Sequence, residues 1–242
     1  IEVLVKNLEI LNKAETPPLE VDDRIAAADE IRLKYRYLDL RRPIMQRLLQ
    51  SRFAAAMAAR TFLQSQGFIE IHSPKFMSAP SESGAELFEV KYFNRKAYLA
   101  QSPQFYKQMA MASGFEKVFE IGPVFRANKS HTIRHDTEFT SVDIEVSYID
   151  SHEDIMKIEE ELIRHIIENI VKNCERELKE IGRDPKDVKN LSKDFEEITY
   201  DEALKILNKE GMKCEWGCVL GADEEDKLSK HFDSPFFVTH LP

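Results

Sequence analysis

Hydrophobic and polar positions alternate along two stretches near the middle of the chain, and the other elements are arranged around them. On the first, Val118, Phe119, Ile121, Val124 and Phe125 are interleaved with Glu120 and Arg126. On the second, Phe139, Val142, Ile144, Val146 and Tyr148 are interleaved with Ser141, Asp143 and Glu145. Between them, Ala127 to Asp136 is rich in Asn, Ser, Thr and His. Two alternating runs around a polar segment predict a long β-hairpin over Phe119 to Ile149. A further alternation, Ile1, Val3 and Val5 against Glu2 and Lys6, predicts a strand from Ile1 to Leu11.

Helical periodicity fills much of the rest. Asn12 to Asp23, with Thr16-Pro17-Pro18, reads as an extended linker, and Asp29 to Leu40 opens a new unit. Pro43 to Gln66 predicts a helix: Pro43 suits its first turn, the alanines at 54–56, 58 and 59 favour it, and Gly67 stops it. Phe68 to Ile71 reads as a short strand ended by Ser73-Pro74, and Pro80 to Ala85 as a loop. Leu87–Val90 and Ala97–Ala100 read as a hairpin around Asn94-Arg95, followed by a helix over Pro103 to Ser113 with Gly114 beyond it. Ser151 to Ile181 predicts the longest helix, with a Ser151/Asp154 capping box and a stripe through Ile155, Ile158, Leu162, Ile166 and Ile170. Asp184 to Glu196 reads as irregular, Thr199 to Lys209 and Asp223 to Phe232 as short helices, and Phe236 to His240 as a strand. Runs of strands with helices between some of them, around an antiparallel hairpin, predict an α+β fold in which helices flank an antiparallel sheet.

Composition adds limits. The 242 residues suffice for one large domain, or one domain with fragments of another, and 43% apolar residues support a packed core. No apolar run has membrane-spanning length and no secretory pattern is present, so the expected location is the cytoplasm, with no membrane partner. A net charge of −9 argues against sequence-blind coating of nucleic acid and leaves room for a local basic site that takes a folded RNA. Cys174, Cys214 and Cys218 read as reduced structural thiols; Cys214 and Cys218 lack the further Cys or His pair a metal site would need.

The chemistry concentrates on the hairpin. Arg126 ends the first strand, Arg134 and His135 close the loop, and Asp143 lies in the returning strand. Cations at the rim of a sheet suit a polyphosphate, and a strand carboxylate suits an ammonium group. A solvated hairpin with surface ion pairs is the plainer alternative, and composition alone favours it.

Three motifs in order carry a resemblance. Gly67-Phe68-Ile69-Glu70-Ile71-His72-Ser73-Pro74, after its long helix, is similar to motif 1 of the class II aminoacyl-tRNA synthetases. Phe125-Arg126 through Arg134-His135 and Glu138-Phe139 to Asp143 is similar to motif 2. Gln101-Ser102-Pro103-Gln104-Phe105-Tyr106-Lys107-Gln108 is similar to the segment with which aspartyl members hold their amino acid. The chain therefore resembles class IIb synthetases, above all the archaeal-like aspartyl type, over about residues 30–242. The resemblance divides the chain into the end of an N-terminal OB anticodon-binding barrel (1–12), a linker (13–29) and a catalytic domain (30–242) that stops before motif 3. Motif 3 and the acidic metal ligands before it find no counterpart here. No metal ligand is therefore assigned in this chain, and the segment by itself is expected to be inactive.

What the resemblance implies is an aspartate–tRNA ligase in protein biosynthesis. Its substrates are ATP, with Mg2+, L-aspartate and tRNA, and it forms a homodimer through the motif 1 helix and strand. Arg126 would contact the ATP α-phosphate and the amino-acid carboxylate and is the catalytic candidate. Ala127, Asn128, Arg134, His135, Asp136 and Phe139 would complete the ATP site, with Phe139 stacked on adenine. Glu82, Ser102, Gln104, Phe105, Tyr106, Lys107, Arg126 and Asp143 would hold aspartate. Among these, Lys107 would meet the β-carboxylate, Asp143 the α-ammonium, and Glu82 would lie on a closing loop. Alternatives are an asparaginyl-tRNA synthetase, the related asparagine synthetase, and a non-catalytic paralogue acting as a binding module.

Overall fold

The computed structural model describes residues 2, 4–24, 27–81, 87–128 and 136–242. In chain order the elements are α1 (Asp29–Lys34), α2 (Arg36–Asp39), α3 (Pro43–Ser65), β1 (Ile69–Glu70), β2 (Phe76–Met77), β3 (Glu89–Tyr92), β4 (Arg95–Leu99), α4 (Gln104–Ala112), β5 (Lys117–Phe125), β6 (Glu138–Val146), α5 (Glu153–Asn173), α6 (Glu175–Glu180), α7 (Pro185–Asn190), β7 (Glu196–Thr199), α8 (Tyr200–Lys209), α9 (Ala222–Ser229) and β8 (Phe236–Thr239). The architecture is α+β.

The predicted hairpin is β5 and β6, paired antiparallel from Lys117 opposite Val146 to Phe125 opposite Glu138. β1 joins the other edge of β5 in parallel. Alternation across the pleat divides this sheet into two faces. One carries Phe119, Ile121, Ile144 and Val146, which pack against Ala59, Phe62 and Leu63 of α3, Phe68, and Leu162 of α5. The opposite face carries Val118, Glu120, Gly122 and Val124 on β5, and Phe139, Ser141, Asp143 and Glu145 on β6.

α3 reaches this core through its small residues. Ala58 and Ala59 are buried, and Leu63 has no exposed surface. Its end is set by Gly67 at φ 82°. The Gly67 N–H donates to the Gln64 carbonyl (3.1 Å) and the Phe68 N–H to the Leu63 carbonyl (3.0 Å). This pair of bonds turns the chain out of the helix, drops Phe68 into the core and aims β1 at β5. α4 ends the same way at Gly114, and it packs on β5 and β6. A second sheet has the order β2-β4-β3. β7 and β8 pair in parallel; with α8 and α9 they enclose a separate core of Ala203, Leu207 and Leu228. The predicted start of α8 carries a capping box between Thr199 and Glu202.

Several expectations change. Residues 2 and 4–11 form no strand and are exposed; Leu4, Leu8 and Leu11 are 87%, 84% and 88% exposed. Alternation specifies a strand only where a neighbouring strand takes its backbone groups, and none of the described strands pairs with this one. The helix expected over Ser151–Ile181 is two, α5 and α6, divided at Cys174. The division lets α6 lie against α3, where Arg47 pairs with Glu180 at 2.5 Å. α3, at 23 residues, is thus longer than α5 at 21. The Ser151/Asp154 box is half made: Asp154 accepts the Ser151 N–H (3.3 Å), whereas Ser151 Oγ accepts the N–H of Glu153 (3.2 Å). Residues 185–190, expected to be irregular, form α7, capped by Asp184 accepting the Lys186 N–H at 2.8 Å with Pro185 in the first turn. The antiparallel expectation holds for β5–β6 and β2–β4–β3, while β1–β5 and β7–β8 are parallel. Among the described residues no helix is long and apolar enough to cross a membrane.

Leu63→Ala should lower unfolding stability by about 3 kcal/mol, the cost of a cavity at a fully buried leucine. Leu8→Ala, on the exposed leading segment, should change it by less than about 0.5 kcal/mol. Urea unfolding of the two variants checks both.

Candidate active site

The polar face of the β5–β6 pair is covered at one end by α4. Gln104 and Lys107 lie three residues apart on α4 and share one side of it. Lys107 Nζ sits 2.6 Å from Asp143 Oδ1, 3.1 Å from Glu145 Oε2 and 3.3 Å from the Ile144 carbonyl. Three acceptors match the three N–H donors of an ammonium group. Burial pulls the Lys107 pKa down, but the hydrogen bonds and charges of Asp143 and Glu145 outweigh it and hold it above the ordinary lysine value. The group therefore stays charged at neutral pH, and the corner carries one cation with two anions. The expectation of a lysine whose carboxylate partner is the substrate changes accordingly, because the fold already supplies two.

Directly across the ladder from Asp143 lies Glu120, buried on the same face. Its carboxylate accepts from Lys75 Nζ (2.5 Å), from Ser73 Oγ (2.6 Å) and from the Ser73 N–H (3.2 Å). Gly122, the next residue on this face, leaves the space that the Glu120 carboxyl uses: a Cβ there would stand 2.9 Å from Glu120 Oε1.

The loop end of the face has a different character. The Arg126 N–H donates to the Thr137 carbonyl (2.9 Å), carrying the pairing one step beyond Phe125. The Arg126 guanidinium lies over the Phe139 ring, 5.5 Å from its centre. Its Nε is buried and has no hydrogen-bond partner among the described residues. A planar cation with a spare, shielded N–H suits an oxyanion. Ala127 and Asn128 are half-buried, the Asn128 N–H turning back to the Arg126 carbonyl at 2.8 Å, and Asp136 is exposed. Asp143 follows Phe139 by four positions, about 13 Å along a strand.

The structure thus brings Lys107 together with Asp143, and Arg126 with Phe139, at two ends of one face. Ser102 is buried beneath the start of α4, where its Oγ accepts from the Gln104 N–H (3.3 Å) and meets Ser81 Oγ at 3.4 Å. Phe105 is exposed and Tyr106 half-buried, and neither shares the Gln104–Lys107 side of the helix. Glu82, Arg134 and His135 lie outside the described residues. Sequence reasoning missed Glu145, although its place two residues after Asp143 puts it on the same face. It also missed Lys75 and Glu120, whose pairing across 45 residues has no local signal. Among the described residues, no group of three or more His, Cys, Asp or Glu side chains is placed to hold a metal ion.

Residues 28–242 match the family described as tRNA synthetases class II (D, K and N). The chain is 45% identical over 243 residues to an aspartate–tRNA(Asp/Asn) ligase of Methanopyrus kandleri, covering 100% of this chain and 56% of the relative. It is 42% identical, with the same coverage of each, to an aspartate–tRNA(Asp) ligase of Thermoplasma volcanium. Among solved structures, asparaginyl-tRNA synthetase from Pyrococcus horikoshii complexed with asparaginyl-adenylate matches with a TM-score of 0.85 and 41% identity, over 89% of this chain and 49% of that one. The chain spans about half the length of the relatives it matches.

Lys107→Met should lower stability by about 2 kcal/mol, since it leaves two partly buried carboxylates without their cation. Because folding raises the Lys107 pKa, its contribution is complete below the unfolded lysine value and is lost only as pH climbs through the higher folded one. The stability gap between wild type and variant should therefore stay flat from about pH 6 to 9. Denaturant midpoints measured across that range check it.

Proposed function

Because the chain belongs to the class II tRNA synthetases of the D, K and N group, we propose that the full-length protein is an aspartate–tRNA ligase. It activates L-aspartate with ATP to aspartyl-adenylate, releasing pyrophosphate, and passes the aspartyl group to a hydroxyl at the 3′ end of tRNA, releasing AMP. One observation carries the reading. A single sheet face has an arginine over an aromatic ring at one end and a lysine–carboxylate cluster at the other, with a spacing of about 13 Å that suits an aminoacyl adenylate lying flat between them.

In this reading Phe139 stacks on the adenine, and Arg126 uses its unpartnered Nε and terminal N–H groups to bridge the α-phosphate and the substrate α-carboxylate. That carboxylate is already ionised at neutral pH, so the step needs alignment rather than a base. As it attacks, Arg126 stabilises the charge that grows on the phosphorus-bound oxygens. Ala127, Asn128 and Asp136 flank the nucleotide, and Arg134 with His135 takes the outer phosphates. Asp143 receives the α-ammonium, Gln104 and Ser102 the polar ends of the amino acid, and Glu82 lies on the segment that closes over it. Mg2+ accompanies the phosphates and supplies counter-charge. Residues 1–12 are the end of an anticodon-binding barrel. The partner at α3 and β1 is a second copy of the protein in the cytoplasm, drawn by the exposed Leu48, Leu49, Phe53, Met57 and Ile69.

The β-carboxylate of aspartate reaches Lys107 by replacing one of its present carboxylate partners, charge for charge. Asparagine leaves the cluster as it stands, so Lys107 rejects it less strongly than an otherwise bare ammonium would. The likeness to an asparaginyl enzyme favours asparagine as the second reading.

Pyrophosphate exchange by the full-length protein separates the two. Aspartate should exceed asparagine in kcat/KM by about 100-fold. The reverse order assigns the asparaginyl reaction, and exchange with neither assigns a non-catalytic paralogue. Arg126→Ala should cut exchange by about 100-fold or more. Sedimentation at micromolar concentration should give a dimer, and a monomer would remove the pairing through α3 and β1.

A further inference from the structure

We infer that Glu120 is a positioning residue for the amino-acid end of the site, acting through Lys75 without touching substrate; the inference rests on the function proposed above. Glu120 is 5% exposed and sits mid-strand in β5. Its three hydrogen bonds, from Lys75 Nζ and from the side chain and backbone of Ser73, all come from the segment between β1 and β2. Lys75 Nζ also donates to Ser73 Oγ at 3.0 Å, so the three groups form one closed cluster.

Lys75 works in two directions. Its side chain holds the middle of β5. Its carbonyl accepts the Ala100 N–H at 3.0 Å, and the Ala100 carbonyl in turn accepts the Phe125 N–H at 2.8 Å. Ala100 is buried and is followed by Gln101, Ser102 and Pro103, which lead into α4. α4 presents Lys107 to Asp143, and Asp143 is the Cα partner of Glu120. The contacts therefore close a ring: Glu120 to Lys75, Lys75 to Ala100, Ala100 through α4 to Lys107, Lys107 to Asp143, and Asp143 across the ladder to Glu120. A site held by such a ring keeps its geometry when one side chain is exchanged for substrate.

Charge gives the ring a second role. Glu120 and Asp143 face each other directly across the strands, where like charges repel. Lys75 neutralises Glu120, which leaves Lys107 to Asp143 and Glu145. Without Lys75, Glu120 becomes a buried lone anion that competes for Lys107. Without the Glu120 charge, Lys75 is a partly shielded cation that has lost its carboxylate partner. Either change shifts the groups that receive the amino acid and spares those that receive ATP at the Phe139 end.

The test uses the full-length protein with Glu120→Gln, which keeps size and an acceptor, Lys75→Met, and the double variant. Backbone hydrogen exchange between residues 101 and 107 should speed up in Glu120→Gln without any substrate present. In pyrophosphate exchange the aspartate KM should rise about tenfold or more, the scale of ångström-level misplacement, while the ATP KM stays within about twofold. The double variant should be no worse than the worse single, because the pair acts as one unit. A fall in melting temperature with both KM values unchanged, an equal rise in both, additive effects, or unaltered protection of residues 101–107 would each overturn the inference. If wild type shows no aspartate-dependent exchange but Glu120→Gln still loosens residues 101–107, the positioning link stands and the functional reading falls.

Discussion

Side chains of the β5–β6 pair alternate between two environments that cannot mix, and the remaining elements are placed by that division. The face with Phe119, Ile121, Ile144 and Val146 has to be covered, and α3 and α5 cover it. The face with Glu120, Asp143 and Glu145, which also carries the buried Val118 and Val124, needs cations over its carboxylates, because an unpaired buried carboxylate costs several kcal/mol. What lies over it is the segment around Lys75 and the helix that carries Lys107. One strand pair thus determines both where the core lies and where charge is brought together.

The two ends of the charged face are prepared differently. At the α4 end every donor of Lys107 has an acceptor, so geometry is fixed before a ligand arrives. At the loop end, Arg126 keeps a buried Nε without a partner. Such a group costs about 1–3 kcal/mol in the folded protein. That cost is recovered when an oxyanion supplies the missing acceptor. One corner is saturated and can exchange one carboxylate for another; the opposite corner is unsaturated and gains an acceptor.

Much of this was legible along the chain because its signals act locally. Pro43, the alanines and Gly67 delimit α3 within one residue, and Pro103 with Gly114 does the same for α4. Thr199 with Glu202 fixes the start of α8 by two hydrogen bonds within one turn. Asp143 and Lys107 could be singled out along the chain, whereas their pairing with each other could not. Features that depend on distant neighbours were not legible. The alternation expected over residues 1–11 gives no strand among the described residues 2 and 4–11, because no described strand lies beside them. The break at Cys174 carries no Pro or Gly and reflects how α6 meets α3. α7 is a different case, since Asp184-Pro185 was a readable start obscured by the polar residues that follow. Glu120 could not be singled out from sequence, because what distinguishes it is Lys75, and that pairing exists only once β1 and β5 are parallel neighbours.

The register of β5 against β6 behaves like a reading frame. Adding or removing one residue inside either strand would turn every later side chain over, sending a carboxylate toward Phe62 and Leu63 and an isoleucine toward Lys107. The segment between Arg126 and Thr137 is under no such rule. The bond from the Arg126 N–H to the Thr137 carbonyl closes it at its base, and lengthening it costs only about 0.6 kcal/mol for each doubling. A change of length between Arg126 and Thr137 therefore leaves the strands on either side of it in frame.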